Sequence, residues 1–523
     1  MSDARAGRRR APLSLVLPAV AVVSLLLLPF AYLLLRAGGS SRGWQILWRR
    51  ATLELVWSTG LLVAGVTLAS VAIGVSLAWL TTRTDLPGRR LWALAAALPL
   101  VIPSYVAAFC LLGAFGPRGL LQQLLGVERL PEIYGYWGAL LALTLSTYPY
   151  VLLLTSAALR GLDPSMEEAA RGLGRQNLYV FRRVTLPAVR PAIGAGALLV
   201  ALYTLSDFGV VSLMRYDALT RSIYLQYKSL FDRTPAAVLA LVLVALTALV
   251  LVVEGRSRLR TSRSSPGVAR RQRPHELGRW KVPALVYCGT LVGAFLAVPA
   301  TVLGYWLARG LDRAESPLGE AINSVSASAL AAVAAAIAAL PIALLAHRYP
   351  GRGTRLLERL SFAGNALPGI VIALSLVFFA ANYASPIYQT LALLVFAYVV
   401  RFLPQALAGT ESSLASVSPR VEEAARSLGR GPLRAAFTVT VPLARSGILA
   451  GAALVFLSAM KELPATLLLR PIGFDTLATE IWRFTSVGAY SRAAAPALLL
   501  IAVSAPLVYL LSNRHRPEAT EHG

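Results

Sequence analysis

One polar segment occurs twice in this sequence, at a fixed displacement. Residues 164–193 align without a gap with residues 419–448 (419 − 164 = 255), and fifteen of the thirty paired positions are identical. The best-matched part is polar: Glu-Glu-Ala-Ala-Arg begins at Glu167 in the first copy and at Glu422 in the second. A polar repeat displaced by about half the chain predicts two similar halves that present the same polar surface twice.

The composition indicates a protein that lies mostly in lipid. The 523 residues are 56% hydrophobic and 14% charged, with a mean hydropathy of +0.63. A bilayer span takes about 20 apolar residues, and twelve runs meet this criterion. They cover residues 12–35, 52–80, 91–115, 134–159, 192–214, 236–253, 282–307, 321–346, 360–382, 387–409, 447–469 and 493–511. We read the first run as a retained span, because it is too long for a signal peptide and no small-residue cleavage site follows it.

These runs predict an all-α integral membrane protein with about 12 transmembrane helices. Six spans per half is an even number, so the two six-helix halves are parallel repeats that enter the membrane in the same direction. We place the first half at residues 1–255, a basic linker at 256–281 and the second half at 282–523.

Basic residues predict the orientation of the spans. The linker alone carries nine Lys or Arg, and basic loops stay on the cytoplasmic side. Arginines also occur in the first predicted outer loop, but the sum places both termini and both polar repeats in the cytoplasm. The net charge of +25 therefore reports topology. Nucleic-acid binding is excluded, because no segment is large enough to form a soluble basic domain.

Each copy of the repeat predicts a helix–turn–helix elbow below the bilayer. Asp or Ser caps the first helix, two glutamates lie early in it, and a glycine ends it after about three turns. A second short helix follows, and a proline stops it at the membrane boundary. We call residues 163–190 the first elbow and residues 418–445 the second elbow. The positions are Asp163, Glu167, Glu168, Gly174 and Pro187 in the first copy, and Ser418, Glu422, Glu423, Gly429 and Pro442 in the second.

The pattern resembles the EAA loop of permeases of binding-protein-dependent ABC importers. It consists of Glu-Ala-Ala, three residues, Gly, nine residues, a β-branched residue, one residue, an aliphatic residue and Pro. Val replaces the commoner Ile in both copies, and the second copy has Val for the usual Leu. The matching residues are Glu168, Ala169, Ala170, Gly174, Val184, Leu186 and Pro187, and then Glu423, Ala424, Ala425, Gly429, Val439, Val441 and Pro442. The resemblance covers essentially the whole chain and implies the type I importer fold in a bacterial inner membrane.

In that family the elbow docks in a groove on a cytoplasmic ATPase subunit. The resemblance therefore implies that Glu168 and Glu423 contact the ATPase, that the two glycines make the turns, and that two ATPase copies bind. Only three lysines occur and none follows a glycine, so the chain has no phosphate-binding loop of its own. We expect a transport subunit that is not an enzyme and binds no cofactor, with ATP hydrolysed by its partners. The residues predicted to act in coupling are Glu167, Glu168, Ala169, Ala170, Gly174, Pro187, Glu422, Glu423, Ala424, Ala425, Gly429 and Pro442.

Two acidic residues occupy matching positions near the ends of the fifth and eleventh spans. Asp207 and Glu462 are 255 residues apart (462 − 207 = 255), and Lys461 adjoins the second. Ionisable residues within a bilayer are costly and often mark a transport pathway. The alternative is a structural ion pair with Lys461, Arg215 or Arg470. No metal site is fixed by the sequence, since two cysteines lie in spans and four histidines form no ligand pattern.

The segments beyond these acids predict short amphipathic helices that carry aromatic residues and receive an extracytoplasmic binding protein. They begin near Asp217 and Asp475. The runs from Ser206 to Gly209 and from Lys461 to Thr466 are similar to those of fused ferric-iron permeases. Thiamine, phosphonate and polyamine permeases remain alternatives. A secondary transporter driven by an ion gradient explains twelve spans and buried acids, but it does not explain the duplicated elbow.

Overall fold

The computed structural model describes residues 11–38, 45–128, 130–163, 165–229, 234–259, 274–310 and 316–513. Within these ranges the regular secondary structure is helical, apart from one isolated bridge between Thr84 and His275. The predicted all-α class is therefore confirmed for the described residues. The middle of the predicted linker, residues 260–273, lies outside them.

Twelve α-helices of the first half have both of their ends within the described residues. They are α1 (Leu13–Gly38), α2 (Arg50–Arg83), α3 (Arg89–Ala97), α4 (Ser104–Phe115), α5 (Leu120–Leu125), α6 (Tyr136–Gly161), α7 (Ser165–Gly172), α8 (Asn177–Val180), α9 (Leu186–Ser206), α10 (Gly209–Leu213), α11 (Leu219–Ser229) and α12 (Thr234–Leu259).

The second half has a similar order. Its helices are α13 (Lys281–Gly310), α14 (Leu318–Arg348), α15 (Arg352–Ser361), α16 (Gly369–Tyr383), α17 (Leu391–Ser416), α18 (Pro419–Ser427), α19 (Pro432–Ala435), α20 (Val441–Leu443), α21 (Arg445–Met460), α22 (Pro464–Leu469), α23 (Leu477–Ser486) and α24 (Tyr490–Asn513). Within the described part of this half no α-helix corresponds to α5, and the short α20 is additional. Ten helices of the described residues are long and apolar enough to span a membrane, or up to twelve if each of two bent pairs forms one span.

Four of the predicted spans are interrupted. The run 91–115 is divided into α3, a 3₁₀ turn at Leu98–Val101 and α4, because Pro99 and Pro103 cannot continue a helix. The run 360–382 bends by 98° before α16, where Pro368 precedes its first residue. The runs 192–214 and 447–469 break at the two predicted pathway acids, so that the short helices α10 and α22 follow.

The chain divides into two compact units. One comprises residues 42–315 with 481–498, and the other comprises residues 1–41, 316–480 and 499–523. We call them the 42–315 unit and the 316–480 unit. The first helix of each sequence half therefore belongs to the unit that is built mainly from the other half. The boundaries predicted from the repeat at 255 and 282 describe the sequence and stay predictions.

The core of the 42–315 unit is formed where α2, α6 and α9 meet. A Cβ at Gly74 would lie 2.7 Å from the Cβ of Val151, and one at Gly196 would lie 2.8 Å from the Cα of Val151. Small residues at these two positions let three helices approach closely, as in many membrane bundles. Helix α13 also packs here, and the indole Nε1 of Trp306 donates to the carbonyl of Gly113 at 3.0 Å.

The 316–480 unit has an equivalent core in which α14, α17 and α21 pack together. A Cβ at Gly409 would lie 2.8 Å from the Cα of Gly451, so the backbones of α17 and α21 are in direct contact. Helix α1 lies in this unit, where the ring of Tyr32 packs edge-on against Phe379 and Tyr383.

Candidate functional site

The first elbow begins with a capped helix and turns at a glycine. Asp163 Oδ1 accepts a hydrogen bond of 3.0 Å from the amide of Ser165 at the start of α7. Gly174 has φ = +74°, a conformation that strains residues with a side chain. The amide of Arg175 reaches back to the carbonyl of Ala170 at 3.2 Å. This is the hydrogen bond of a Schellman motif, which ends α7 in a sharp turn.

The second elbow turns in the same way but begins differently. Gly429 has φ = +85°, and the amide of Arg430 donates to the carbonyl of Ala425 at 3.3 Å. The side chain of Ser418 makes no capping hydrogen bond, so its predicted capping role is wrong. Pro419 occupies the first position of α18 instead, where its missing amide hydrogen has no helical partner to lose.

The second short helix of each elbow does not stop at the proline. Residues Phe181–Thr185 and Ala436–Thr440 each form a π-helical turn. In the first half this turn continues into α9, with Pro187 in its first turn. In the second half the bend of 72° falls after Leu443, beyond Pro442. The predicted stop is wrong for Pro187, because a proline in the first turn of a helix is tolerated, whereas in the second elbow the helix ends one residue beyond Pro442.

Glu167, the first glutamate of the pair in the first elbow, is buried. It is 5% exposed, and its Oε1 accepts a hydrogen bond of 2.7 Å from the hydroxyl of Thr185 in the π-helical turn. Arg83 Nη2, at the end of α2, lies 3.5 Å from the same oxygen, and Arg171 Nη2 lies 3.2 Å from Oε2. Glu167 therefore ties α7 to a membrane helix and to the start of α9.

Glu422 makes the corresponding contacts with a threonine and an arginine in the second elbow. It is 8% exposed, and its Oε2 accepts from the hydroxyl of Thr440 at 2.9 Å. Arg348 Nη2, at the end of α14, lies 2.9 Å from that oxygen. We call these two sets, Arg83–Glu167–Thr185 and Arg348–Glu422–Thr440, the buried triads. Both glutamates were predicted to act in coupling, and the structure places them inside the protein.

The outward surface of each elbow is formed by the neighbouring positions. Glu168 and Glu423 are exposed, whereas Ala170 is half-buried and Ala425 is buried. Leu173 is 81% exposed and Leu428 is 83% exposed. A stripe of exposed residues at helical spacing leads to each leucine: Met166, Ala169 and Leu173 in the first elbow, and Val421, Ala424 and Leu428 in the second. We call each stripe, with its adjacent glutamate, an elbow face.

The end of the predicted linker contacts the first elbow. The carbonyl of His275 accepts from the amide of Asp85 at 3.0 Å, and its ring Nε2 lies 2.9 Å from Arg171 Nη2. Arginine can only donate, so the ring nitrogen accepts and the imidazole is neutral. Burial, followed by the charge of Arg171, lowers the pKa of His275 below its usual value. Lys281 Nζ lies 2.8 Å from Asp85 Oδ2, and this hydrogen bond lowers the pKa of Asp85.

Asp207 lies at the break between α9 and α10 and is buried. Its Oδ2 accepts from the hydroxyl of Ser104 at 2.6 Å, and its Oδ1 accepts from the amide of Val210 at 2.8 Å. The carboxylate thus caps the first turn after the break and joins it to the start of α4.

Glu462 lies at the equivalent break before α22 and is also buried. Its Oε1 accepts from Arg401 Nη1 at 2.8 Å and from the amide of Ala465 at 3.1 Å. The ion pair that was considered for Glu462 therefore exists, but its basic partner is Arg401 on α17, which the sequence analysis did not consider. A pathway role for Asp207, Lys461 and Glu462 stays a prediction.

The predicted aromatic helices form as α11 and α23, which we call the outer helices, and several of their aromatic rings pack within the protein. Tyr224 is buried and lies 4.8 Å from the ring centroid of Phe208. Trp482, in the 42–315 unit, lies 6.0 Å from Tyr224. The rings of Tyr224 and Trp482 therefore contribute to packing within the 42–315 unit, and reception of a binding protein by these two helices stays a prediction. Among the described residues, no group of three or more His, Cys, Asp or Glu is arranged to hold a metal ion.

Comparison with known proteins identifies the family. The sequence profile described as "Binding-protein-dependent transport system inner membrane component" matches residues 70–262 and 321–516. The chain belongs to this family. Both elbows and both predicted pathway acids fall inside the matched ranges, so the profile occurs once in each half of this permease. Family membership, together with the membrane-length helices, makes the chain a multi-pass membrane transport permease.

Individual relatives differ in how much of the permease they cover. Fe(3+)-transport system permease protein FbpB 2 of Haemophilus influenzae is 34% identical over 97% of this chain and 99% of its own. Ferric transport system permease protein FbpB of Actinobacillus pleuropneumoniae is 24% identical over 87% and 70%. Sulfate transport system permease protein CysT of Salmonella typhimurium is 30% identical, but over 44% of this chain and 86% of its own. The solved MetNI methionine ABC transporter aligns with 43% of this chain at 18% identity and a TM-score of 0.34.

The residues of the buried triads differ in how far the sequence could reveal them. Thr185 and Thr440 lie within the aligned repeat, so their recurrence was visible (440 − 185 = 255). Arg83 and Arg348 are displaced by 265 residues (348 − 83 = 265), since the first half has ten additional residues between α2 and α6. Only the folded chain shows that these arginines are equivalent.

Proposed function

We propose that this chain is the permease subunit of an ATP-driven importer that passes ferric iron delivered by an extracytoplasmic binding protein. The observation that carries the proposal is the 34% identity with a named Fe(3+)-transport permease along almost the full length of both chains. The sulfate relative covers less than half of this chain. Thiamine, phosphonate and polyamine importers of the same family are the alternative substrates.

The two elbow faces support the proposal of two ATPase partners. Each presents an exposed leucine on a short helix, Leu173 or Leu428, beside an exposed glutamate. An apolar side chain of this size at a helix end becomes favourable when a partner covers it. The buried triads fix each elbow to its own membrane helices, so a partner that moves an elbow also moves those helices. In this arrangement the elbows and both termini lie in the cytoplasm.

The test is uptake by the reconstituted system. The chain is assembled with a candidate ABC ATPase and a candidate ferric-iron-binding protein, in vesicles that contain ATP, and ⁵⁵Fe³⁺ uptake is measured. We expect uptake that requires ATP and that excess thiamine, phosphonate, polyamine or sulfate does not inhibit. A variant with Leu173→Ser and Leu428→Ser should lose ATPase binding, whereas Leu124→Ser, at an exposed leucine outside the elbows, should not.

Two outcomes would contradict the proposal. Inhibition of uptake by one of the competing substrates would identify that substrate instead of iron. Uptake that continues without ATP but stops when a protonophore removes the ion gradient would identify a secondary transporter.

A further inference from the structure

The second membrane helix of each half contacts the elbow at one end. Arg83 is the last residue of α2 and Arg348 is the last residue of α14. Both belong to the buried triads, so each elbow is joined by an ion pair to one long helix.

In the 42–315 unit the opposite end of α2 contacts the outer helix α11. The hydroxyl of Thr59 accepts from the amide of Leu219, the first residue of α11, at 3.0 Å, and it donates to the carbonyl of Leu55 at 2.7 Å. The adjacent Ser58 hydroxyl donates to the carbonyl of Asp217 at 2.6 Å. The first free amide of α11 is therefore capped by α2 and not by its own chain.

The 316–480 unit contains the same arrangement with different residues. The hydroxyl of Ser324 accepts from the amide of Leu477, the first residue of α23, at 2.9 Å, and donates to the carbonyl of Glu320 at 2.7 Å. The side-chain amide of Asn323 donates to the carbonyl of Asp475 at 2.9 Å. Thr59 and Ser324 are both buried, and we call them the hydroxyl anchors.

The two contacts of each helix have the same separation in both units. Twenty-four residues separate each anchor from its arginine (83 − 59 = 24 and 348 − 324 = 24), which is about 36 Å of α-helix and exceeds the hydrocarbon thickness of a bilayer. Helix α2 runs without an internal proline, and α14 is one continuous helix through Pro341.

The direct chain path from elbow to outer helix is less continuous. In the first half it leaves α9 at the break of Asp207, and in the second half it leaves α21 at the break of Lys461. A break in the hydrogen-bonded helix is a point where the chain can bend. Helices α2 and α14 therefore provide the more rigid connection between the two faces of the membrane.

We propose that α2 and α14 are coupling struts, each of which transmits movement between an elbow and the outer helix at the opposite membrane face. The proposal rests on the proposed function, because it assigns the route by which ATPase partners at the elbows affect the face that receives the binding protein. In the first half the route reaches the predicted pathway, since the hydroxyl of Thr220 in α11 donates to the carbonyl of Asp207 at 2.7 Å.

The first experiment uses the full-length chain alone in lipid nanodiscs and needs neither substrate nor partner. Thr185→Val with Thr440→Val removes a hydroxyl from each buried triad at the elbow end, and amide hydrogen exchange is measured at Leu219 and Leu477. We expect exchange at these distant amides to accelerate by at least about fivefold, the lower end of usual coupling between sites. Thr82→Val is the control, because its hydroxyl bonds to the carbonyl of Ala78 within α2.

The second experiment measures ATP hydrolysis by the assembled importer with and without loaded binding protein. Thr59→Val with Ser324→Ala should reduce the stimulation by binding protein at least about fivefold while basal hydrolysis is retained. The conservative variant Thr59→Ser with Ser324→Thr keeps both hydroxyls and should behave as the unchanged chain. Thr67→Val is a matched control in α2, because its buried hydroxyl makes no hydrogen bond.

The two experiments test the strut proposal and the proposed function separately. Unchanged exchange at Leu219 and Leu477 in the elbow variant overturns the strut, whatever the substrate is. Absence of stimulation in the unchanged importer counts against the proposed function and leaves the exchange result to decide the strut. If the buried anchor variant does not fold, Ser58→Ala with Asn323→Ala removes the second contact at that end, and full stimulation in that variant overturns the strut.

Discussion

Arg401 and Glu462 form an ion pair of 2.8 Å at the break of the eleventh predicted span, with the carboxylate buried, and a glycine makes this pair possible. A Cβ at Gly369 would collide with the guanidinium of Arg401. In the first half, Ser104 occupies the position of Gly369 (369 − 104 = 265), and Ser146 occupies that of Arg401 (401 − 146 = 255). One half thus stabilises its acid with a hydroxyl and the other with a guanidinium.

The difference between the two halves predicts that Gly369→Ser alone displaces Arg401 and destabilises the protein. The loss should be roughly 3 kcal/mol, because a buried carboxylate loses its charged partner. The triple variant Gly369→Ser, Arg401→Ser, Glu462→Asp recreates the first-half arrangement and should recover most of that stability. Thermal unfolding in detergent measures both. A triple variant no more stable than Gly369→Ser would contradict the equivalence of the two sites.

The pathway hypothesis predicts a separate effect of removing the acids. Asp207→Asn with Glu462→Gln should lower ferric-iron uptake about tenfold or more, since a Coulomb attraction on the order of 1–4 kcal/mol per contact is removed. Arg401→Met, with Lys461→Met in parallel, tests a purely structural role. Full uptake by the double carboxylate variant, measured at equal expression, would exclude the acidic gate.

The two glutamates of each elbow are predicted to have different roles. Glu168→Gln with Glu423→Gln, at exposed positions, should weaken ATPase binding and leave the melting temperature unchanged. Glu167→Gln with Glu422→Gln should lower stability by about 3 kcal/mol per site, because Arg83 and Arg348 then lose a buried charged partner. Co-purification of the ATPase and thermal unfolding measure the two effects, and equal effects of both pairs would contradict this division.

The positive φ angles predict that both elbow glycines are needed. Gly174→Ala with Gly429→Ala should destabilise each turn by about 1 kcal/mol, and the corresponding prolines should abolish ATPase recruitment without preventing insertion. Gly172→Ala is the control in the first elbow, because it lies in α7 with nothing within 4 Å of the added Cβ. Normal stimulated ATP hydrolysis by the proline variant would refute a coupling role for the turns.

The contact between His275 and Arg171 is predicted to weaken in acid. The lowered pKa of His275 means that the folded chain binds this proton less tightly than the unfolded chain, so stability rises with pH. The contact is stable above the ordinary value of about 6.5 and weakens as the pH falls below it. Hydrogen exchange at the amides of Asp85 and His275, corrected for intrinsic rates, should therefore be faster at acidic pH. His275→Gln should remove this dependence, and exchange that stays independent of pH in the unchanged chain would contradict it.

The sequence by itself determined the features that are local or periodic. Membrane helices follow from apolar runs of about 20 residues, because a helix of that length crosses the hydrocarbon core and satisfies its own backbone hydrogen bonds in lipid. The elbow turns follow from Gly174 and Gly429, because few residues other than glycine adopt a positive φ without strain. The internal repeat and the resemblance to a permease family follow from the spacing of the duplicated motif. This spacing can be read from the order of residues without knowledge of their packing.

The tertiary structure alone decided which residues meet across helices. Glu167 and Glu168 are neighbours of the same type, yet only the packing of α7 against Arg83 and Thr185 buries the first and leaves the second exposed. The partner of Glu462 was equally hidden, because Arg401 is 61 residues away. Such pairs depend on helix rotation and crossing, which are set by the close approach of glycine-containing surfaces. Sequence spacing does not encode them.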